Sequence, residues 1–245
     1  MTRAYDHRQV GRAPSWDVSK RLVTAEEMDD ASLDAALHRE ALEGLSRLNF
    51  VSCSARLLWR TIRPMGDVRV LDVACGGGDV TVGLWRLARQ RGVTLRIEGV
   101  DRSPVAVEKA QERARRAGAE IRFFEIDALR DTLSTGGDYD VVMSSLFMHH
   151  LTEAQAQVLL RRMAAAAGRM VLINDLIRCR AGLLLAWSAS RLLTRGPVVA
   201  VDAVRSVRAA FTEAEAVALA EAAGLTGATV SWRWPWRFLL QWRRC

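Results

Sequence analysis

Apolar positions change their period several times along the chain, and each change marks an element. From Ser32 to Ile62 they recur at helical spacing, at Leu33, Leu37, Leu42, Leu45 and Leu48 and then at Val51, Leu57, Leu58 and Ile62. This predicts two helices, closed by Pro64 and Gly66. Short apolar runs then alternate with amphipathic stretches. Strands are expected at Val68–Val73, Leu95–Val100, Ile121–Ile126, Tyr139–Met143 and Met170–Ile173. Helices are expected at Asp79–Arg91, Val105–Ala117 and from Thr152 to about Ala167. Their punctuation agrees: Gly92 and Gly118 as stops, Ser103-Pro104 as a cap and first turn, Thr152-Glu153-Ala154-Gln155 as a capping box. Strands alternating with helices of this length imply an α/β protein with a doubly wound, mostly parallel sheet.

Residues 176–211 interrupt the rhythm with an apolar helix (Ala181 to Thr194), a Gly196-Pro197 break and an irregular stretch, the pattern of a lid or substrate wall. A second capping box, Thr212-Glu213-Ala214-Glu215, opens a helix ended by Gly224, and Thr229 to Arg243 reads as two strands joined near Pro235. The resulting division is a flexible polar arm (1–30), a helical cap (31–66), a cofactor-binding core (67–175), a lid (176–211) and a last helix with a closing strand pair (212–245).

The first strand runs into Asp72-Val73-Ala74-Cys75-Gly76-Gly77-Gly78-Asp79. A strand that breaks into glycines before a helix N-terminus brings bare backbone N–H groups close to a ligand. A dinucleotide fingerprint fits poorly, because Thr81 stands where its third glycine belongs and Asp72 is unwelcome beside a pyrophosphate. Asp72 suits a cofactor that is cationic near the loop. Asp101, 23 positions after Gly78 and followed by Arg102, ends the second strand, where a carboxylate can accept ribose hydroxyls. Asp127-Ala128 ends the third. Three aspartates closing successive strands lie along one sheet edge.

Together these residues resemble class I S-adenosylmethionine-dependent methyltransferases, whose first motif usually reads V-L-D-x-G-x-G-x-G; Ala74 replaces the first glycine, which implies a slightly tighter loop. The resemblance implies a Rossmann-like seven-stranded sheet and a site in which Asp72, Ala74, Cys75, Gly76, Gly78 and Asp79 meet the methionine end of S-adenosyl-L-methionine. Asp101 then takes the ribose, with Arg102 beside it as a further cofactor-binding residue, Asp127 and Ala128 take the adenine, and Ser144 and Ser145 pass beneath the methionine part. The His149-His150-Leu151 ending is similar to small-molecule methyltransferases of ubiquinone and menaquinone synthesis. Either histidine could accept the proton of a phenol whose pKa is about 10. Asn174, Arg178, Arg208 and Phe211 are expected on the substrate side. The Asn174-Asp175-Leu176 step, the Arg205–Phe211 stretch and the Trp-Pro-Trp-Arg ending are similar to a bacterial subgroup found beside type III polyketide synthases and linked to alkylresorcinol or hydroxyquinone lipids.

Composition adds limits. The 245 residues are half apolar, with a net charge of +7. Only Lys20 and Lys109 are lysines among the 35 basic residues, and the arginines are spread along the whole chain, which favours a solvated basic surface over a nucleic-acid tract. The four cysteines lack metal-ligand spacing, so reduced thiols, no metal and a cytoplasmic location are expected. Trp232, Trp234 and Trp236 alternate along one strand, an aromatic face suited to core packing or to peripheral contact with a membrane or a long apolar substrate. The expected protein is a monomer or homodimer that methylates a small apolar phenolic or quinone-like acceptor, at oxygen in preference to carbon. The competing readings are a methyltransferase of nucleic acid (rRNA or tRNA) and a non-catalytic binding protein on the same fold.

Overall fold

The computed structural model describes residues 16–24, 53–133, 139–193 and 197–244. The predicted helices between Ser32 and Val51 and most of the expected arm lie outside the described residues.

Five parallel strands carry the core: β1 (Val68–Val73), β2 (Leu95–Asp101), β3 (Arg122–Glu125), β4 (Tyr139–Ser145) and β5 (Ala167–Leu176). A terminal hairpin, β6 (Thr229–Arg233) and β7 (Arg237–Arg243), completes a seven-stranded sheet in the order β3-β2-β1-β4-β5-β7-β6. β7 pairs antiparallel to β5, and β6 antiparallel to β7. The helices are α1 (Ser54–Ile62), α2 (Asp79–Gln90), α3 (Pro104–Ala117), α4 (Glu153–Ala166), α5 (Arg180–Leu193), α6 (Pro197–Ala209) and α7 (Glu213–Ala222). The order steps outward from β1 to β3 and then reverses to β4 on the other side of β1, and with right-handed crossovers this reversal puts α2 and α3 on one face of the sheet and α4 on the other.

Side chains alternate between two cores, as the two-residue period of a strand requires. Val68, Val70, Ile97, Met143 and Leu172 pack with Leu58 and Ile62 of α1, Leu84 of α2 and Ala110 of α3. Leu71, Val73, Val142 and Ile173 pack on the opposite face with Leu159 and Met163 of α4 and Leu219 of α7. Helix starts follow local chemistry. Ser103 Oγ caps α3 by accepting from Ala106 N, and Thr152 and Thr212 form reciprocal capping boxes with Gln155 and Glu215.

Three elements differ from the pattern-based expectation. β5 runs from Ala167 to Leu176, beyond its apolar run, because β4 and β7 pair with it on both sides. The irregular stretch expected after Gly196 is a helix that Pro197 opens, since proline's fixed φ suits a first helical position. The tryptophans do not share one strand face: β6 ends at Arg233, so Trp234 and Trp236 belong to the hairpin turn. Within the expected arm, residues 16–24 form an irregular segment docked on the domain, with Leu22 N donating to Arg208 O at 3.0 Å.

Candidate active site

Both halves of the site lie along the carboxyl edge of the parallel strands. The loop after β1 carries the glycines between β1 and α2. Gly78 stands at φ +70° as the α2 cap, and a Cβ there would come within 2.9 Å of Ala110 Cβ and 3.1 Å of its Cα. Only glycine fits, by conformation and by space. Gly76 is also left-handed, at φ 52°, and its N–H donates to Asp101 Oδ2 at 2.8 Å. Ser103 N donates to Asp101 Oδ1 at 2.9 Å, so one carboxylate joins the loops after β1 and β2. Arg113 Nε donates to Gly77 O at 2.8 Å from α3. Ala74 adopts φ 55°, so the departure from the glycine pattern is accommodated as a strained left-handed alanine within an intact loop. Cys75 is buried, and burial pushes its thiol well up, which leaves it unreactive. Arg102 is exposed beside Asp101, and Asp79 occupies the first turn of α2.

Asp72 sits beneath this loop, only 1% exposed, with Oδ2 accepting from the Thr81 hydroxyl at 2.6 Å. Burial pushes its carboxyl up to about 7, against the Thr81 bond and with help from the charges of Asp79 and Asp101. Asp127 caps its own turn: Oδ1 accepts from Leu129 N at 2.9 Å, while Asp127 N donates to Asp131 Oδ2 at 2.8 Å. Ala128 is buried next to it. Ser144 donates to Val73 O at 2.8 Å and ties β4 to the end of β1, and Ser145 Oγ accepts from Asn174 Nδ2 at 2.9 Å.

The second half starts where β4 ends. A short 3₁₀ turn, Met148–His150, presents His149, whose Nδ1 lies 2.6 Å from Asp175 Oδ1 at the end of β5. Asp175 Oδ2 accepts from the backbone N–H of His149 at 3.1 Å, so a single carboxylate fixes both ring and turn. Asp175 is 1% exposed. Burial alone would raise its carboxyl; the His149 ring and the N–H of Leu176 outweigh that and hold it below the usual range. A carboxylate at Nδ1 selects the tautomer with the proton there and makes Nε2 the basic nitrogen. The half-buried His150 packs on His149 with ring centroids 4.3 Å apart.

The expected substrate residues divide. Asn174 is buried at the end of β5, and its Oδ1 has no hydrogen-bond partner. Arg208, on α6, likewise holds a buried Nε without a partner. Arg178 and Phe211 are structural instead. Arg178 binds both carboxylate oxygens of Glu215, at 2.7 and 2.8 Å, together with Ala210 O and Val18 O, which leaves its fork spent on joining segments. Phe211 is buried, with the Arg21 guanidinium 3.6 Å above its ring. Asp175 and Arg21 were not singled out by sequence. Asp175 was visible only as half of an Asn-Asp pair at a strand end, and nothing local pointed to Arg21. Among the described residues no cluster of His, Cys, Asp or Glu is arranged to hold a metal ion.

Residues 70–168, which contain the glycine loop, Asp101, Asp127 and His149, match the family described as a methyltransferase domain. That stretch of the chain carries a methyltransferase domain. Among curated relatives, the ubiquinone biosynthesis O-methyltransferase of Azorhizobium caulinodans is 30% identical over 118 residues, 48% of this chain and 42% of that protein. The ribosomal protein L11 methyltransferase of Thermosipho africanus is 32% identical over 101 residues, 41% of this chain and 35% of that protein. The chain therefore matches less than half the length of either relative. The crystal structure of magnesium protoporphyrin IX methyltransferase from Synechocystis with bound S-adenosylhomocysteine shares the fold, at 18% identity and a TM-score of 0.56, over 88% of this chain and 90% of that one. The cofactor of this domain, S-adenosylmethionine, fits the loop: Gly78 leaves no space for a side chain, Gly76 exposes left-handed backbone, and Asp72 lies beneath as a counter-charge.

Proposed function

We propose that the protein methylates a hydroxyl oxygen on a small, largely apolar phenolic or quinone-like molecule, with His149 taking the hydroxyl proton. The observation that carries this reading is the buried His149–Asp175 pair, 2.6 Å apart at the ends of β4 and β5. The cofactor supplies an electrophilic methyl group on a sulfonium. Gly76 to Gly78 approach it through their backbone, Asp101 accepts the ribose hydroxyls and Asp127 the adenine amino group. Asp72 supplies negative charge beneath the methionine end. Direct displacement at the methyl carbon needs an aligned, desolvated nucleophile more than covalent catalysis. His149 Nε2 supplies the remaining requirement by removing the phenol proton, and the Asp175 carboxylate offsets the positive charge that the ring acquires.

Asn174 Oδ1 and Arg208 Nε add a buried acceptor and a buried donor for the polar ends of such a molecule. Helices α5 and α6 act as its lid. Trp232 (51% exposed), Trp234 (59%) and Leu184 suit peripheral contact with a membrane surface, from which a long apolar acceptor would be drawn. Likeness to a ubiquinone-pathway relative supports the acceptor class. A nucleic-acid acceptor is less well supported, because several arginines are already engaged within the molecule, among them Arg21, Arg113, Arg162 and Arg178.

The test is transfer of labelled methyl from S-adenosylmethionine to a panel of apolar phenols, with and without His149→Ala. The variant should lose about 10²–10⁴ in kcat on phenols of ordinary acidity. It should lose much less on nitrophenols, which ionise near neutral pH without help. Equal rates for the two proteins across the panel would remove His149 as the base.

A further inference from the structure

The turn that bears His149 is only three residues long and holds itself with few bonds. His150 N donates to Phe147 O at 3.0 Å and Leu151 N to Met148 O at 3.1 Å. Its orientation is therefore set from outside. Asp175 grips its N–H side through the backbone of His149. The carbonyl side is gripped by Arg21, more than a hundred residues away in sequence. One terminal nitrogen of Arg21 donates to His149 O at 3.0 Å and to Leu151 O at 2.6 Å. Its Nε donates to Ala209 O at 2.6 Å, at the end of α6, and the guanidinium lies flat on Phe211. The strap that carries Arg21 is docked on either side of it, by Arg178 Nε donating to Val18 O at 3.0 Å and by Leu22 N donating to Arg208 O at 3.0 Å.

We infer that Arg21 is a positioning residue for the His149–Asp175 pair, and that the strap of residues 16–24, outside the matched methyltransferase segment, completes the active site. A planar fork that stacks on an aromatic face while donating to several carbonyls holds a fixed geometry that a lysine ammonium cannot reproduce. Without it, the carbonyl side of the turn loses its hydrogen bonds while Met148 and Leu151 still anchor it in the core, and the imidazole is freer to rotate away from Asp175. The inference rests on the proposed role of the pair, but its test does not depend on catalysis.

The sequence has four histidines, so ¹⁵N-histidine NMR of the full chain can follow the His149 ring. The Nδ1 proton shared with Asp175 should give a downfield signal that Asp175→Asn abolishes. In Arg21→Ala this signal should disappear into exchange with water, while S-adenosylhomocysteine binding by calorimetry stays within about twofold of the intact protein. Arg21→Met, which keeps the buried stem and its packing on Phe211 but removes the donors, should behave like Arg21→Ala. Arg21→Lys should restore part of the signal. An unchanged signal in a folded Arg21→Met protein would overturn the inference. A signal lost in Arg21→Met alongside full activity of His149→Ala would uphold the positioning role while refuting His149 as the base.

Discussion

Asp101 and Asp175 both close a strand, and both hold a group about 25 residues away, Gly76 for one and His149 for the other. They do different work. Asp101 is half-buried and accepts two backbone N–H groups, those of Gly76 and Ser103, so it fixes the shape of two loops. Asp175 is fully buried and accepts from two backbone N–H groups while also pairing with an imidazole, so it fixes a side chain and the tautomer that side chain adopts. The cofactor half of the site is made mainly of backbone, held open by missing side chains. The acceptor half is made of paired side chains drawn from residues 21 to 215.

The sharpest way to break the cofactor half without touching the other is Gly78→Ala. The added Cβ meets the backbone of α3 in a left-handed residue, two costs that together come to about 3 kcal/mol. Thermal melts should show that loss, and the surviving protein should bind S-adenosylhomocysteine weakly. A melt within a degree of the intact protein would mean that the loop does not need this glycine.

A smaller effect separates Asp72 from Asp101. The Asp72 carboxyl is raised from 3.8 to about 7, so in the free protein near pH 6 it is mostly protonated. A ligand ammonium above the loop should favour the ionised form and expel up to about one proton on binding. Calorimetry at pH 6 in two buffers of different ionisation enthalpy measures this release, which should vanish in Asp72→Asn. The sign for stability follows the same shift. Unfolded Asp72 ionises near 3.8, so its burial is costless below that value, costs progressively more up to about pH 7 and is constant above. Asp72→Asn should therefore raise the melting temperature at pH 8 and leave it nearly unchanged at pH 4. Equal changes at both values would contradict the raised carboxyl.

The smallest effect is at Ala74. Glycine there relieves a left-handed alanine at φ 55° but loosens the unfolded chain, for a net gain of up to about 1 kcal/mol. A lower melting temperature for Ala74→Gly would show that the methyl group packs usefully.

What was legible in the sequence follows the same division. Gly76, Gly78, Asp101 and the capping boxes are local signals, because turn and cap chemistry act over a few residues and declare themselves there. The doubly wound sheet followed from the alternation of elements, and the closing strand pair from the break near Pro235. His149 could be suspected from its place after β4, but its partner could not be chosen. Asn174 and Asp175 are neighbours on a strand and point to opposite faces, so only the sheet shows which one reaches the histidine. Arg178 was expected on the substrate side because its stretch leaves the fifth strand for the insertion, and its pairing with Glu215 appears only in the fold. Helix α6 was obscured because Gly196-Pro197 reads equally as a break and as a helix start. Arg21 had no sequence signal at all, since a contact across more than a hundred residues leaves no period behind.

The most direct test of the division is calorimetric titration with S-adenosylhomocysteine of the intact protein, Asp101→Ala and His149→Ala side by side. The intact protein and His149→Ala should bind alike, with a dissociation constant on the order of micromolar. Asp101→Ala should bind about 10- to 100-fold more weakly, as expected for the loss of charged hydrogen bonds. Undiminished binding by Asp101→Ala, or a loss in His149→Ala as large as the loss in Asp101→Ala, would contradict the assignment of cofactor and acceptor to separate halves.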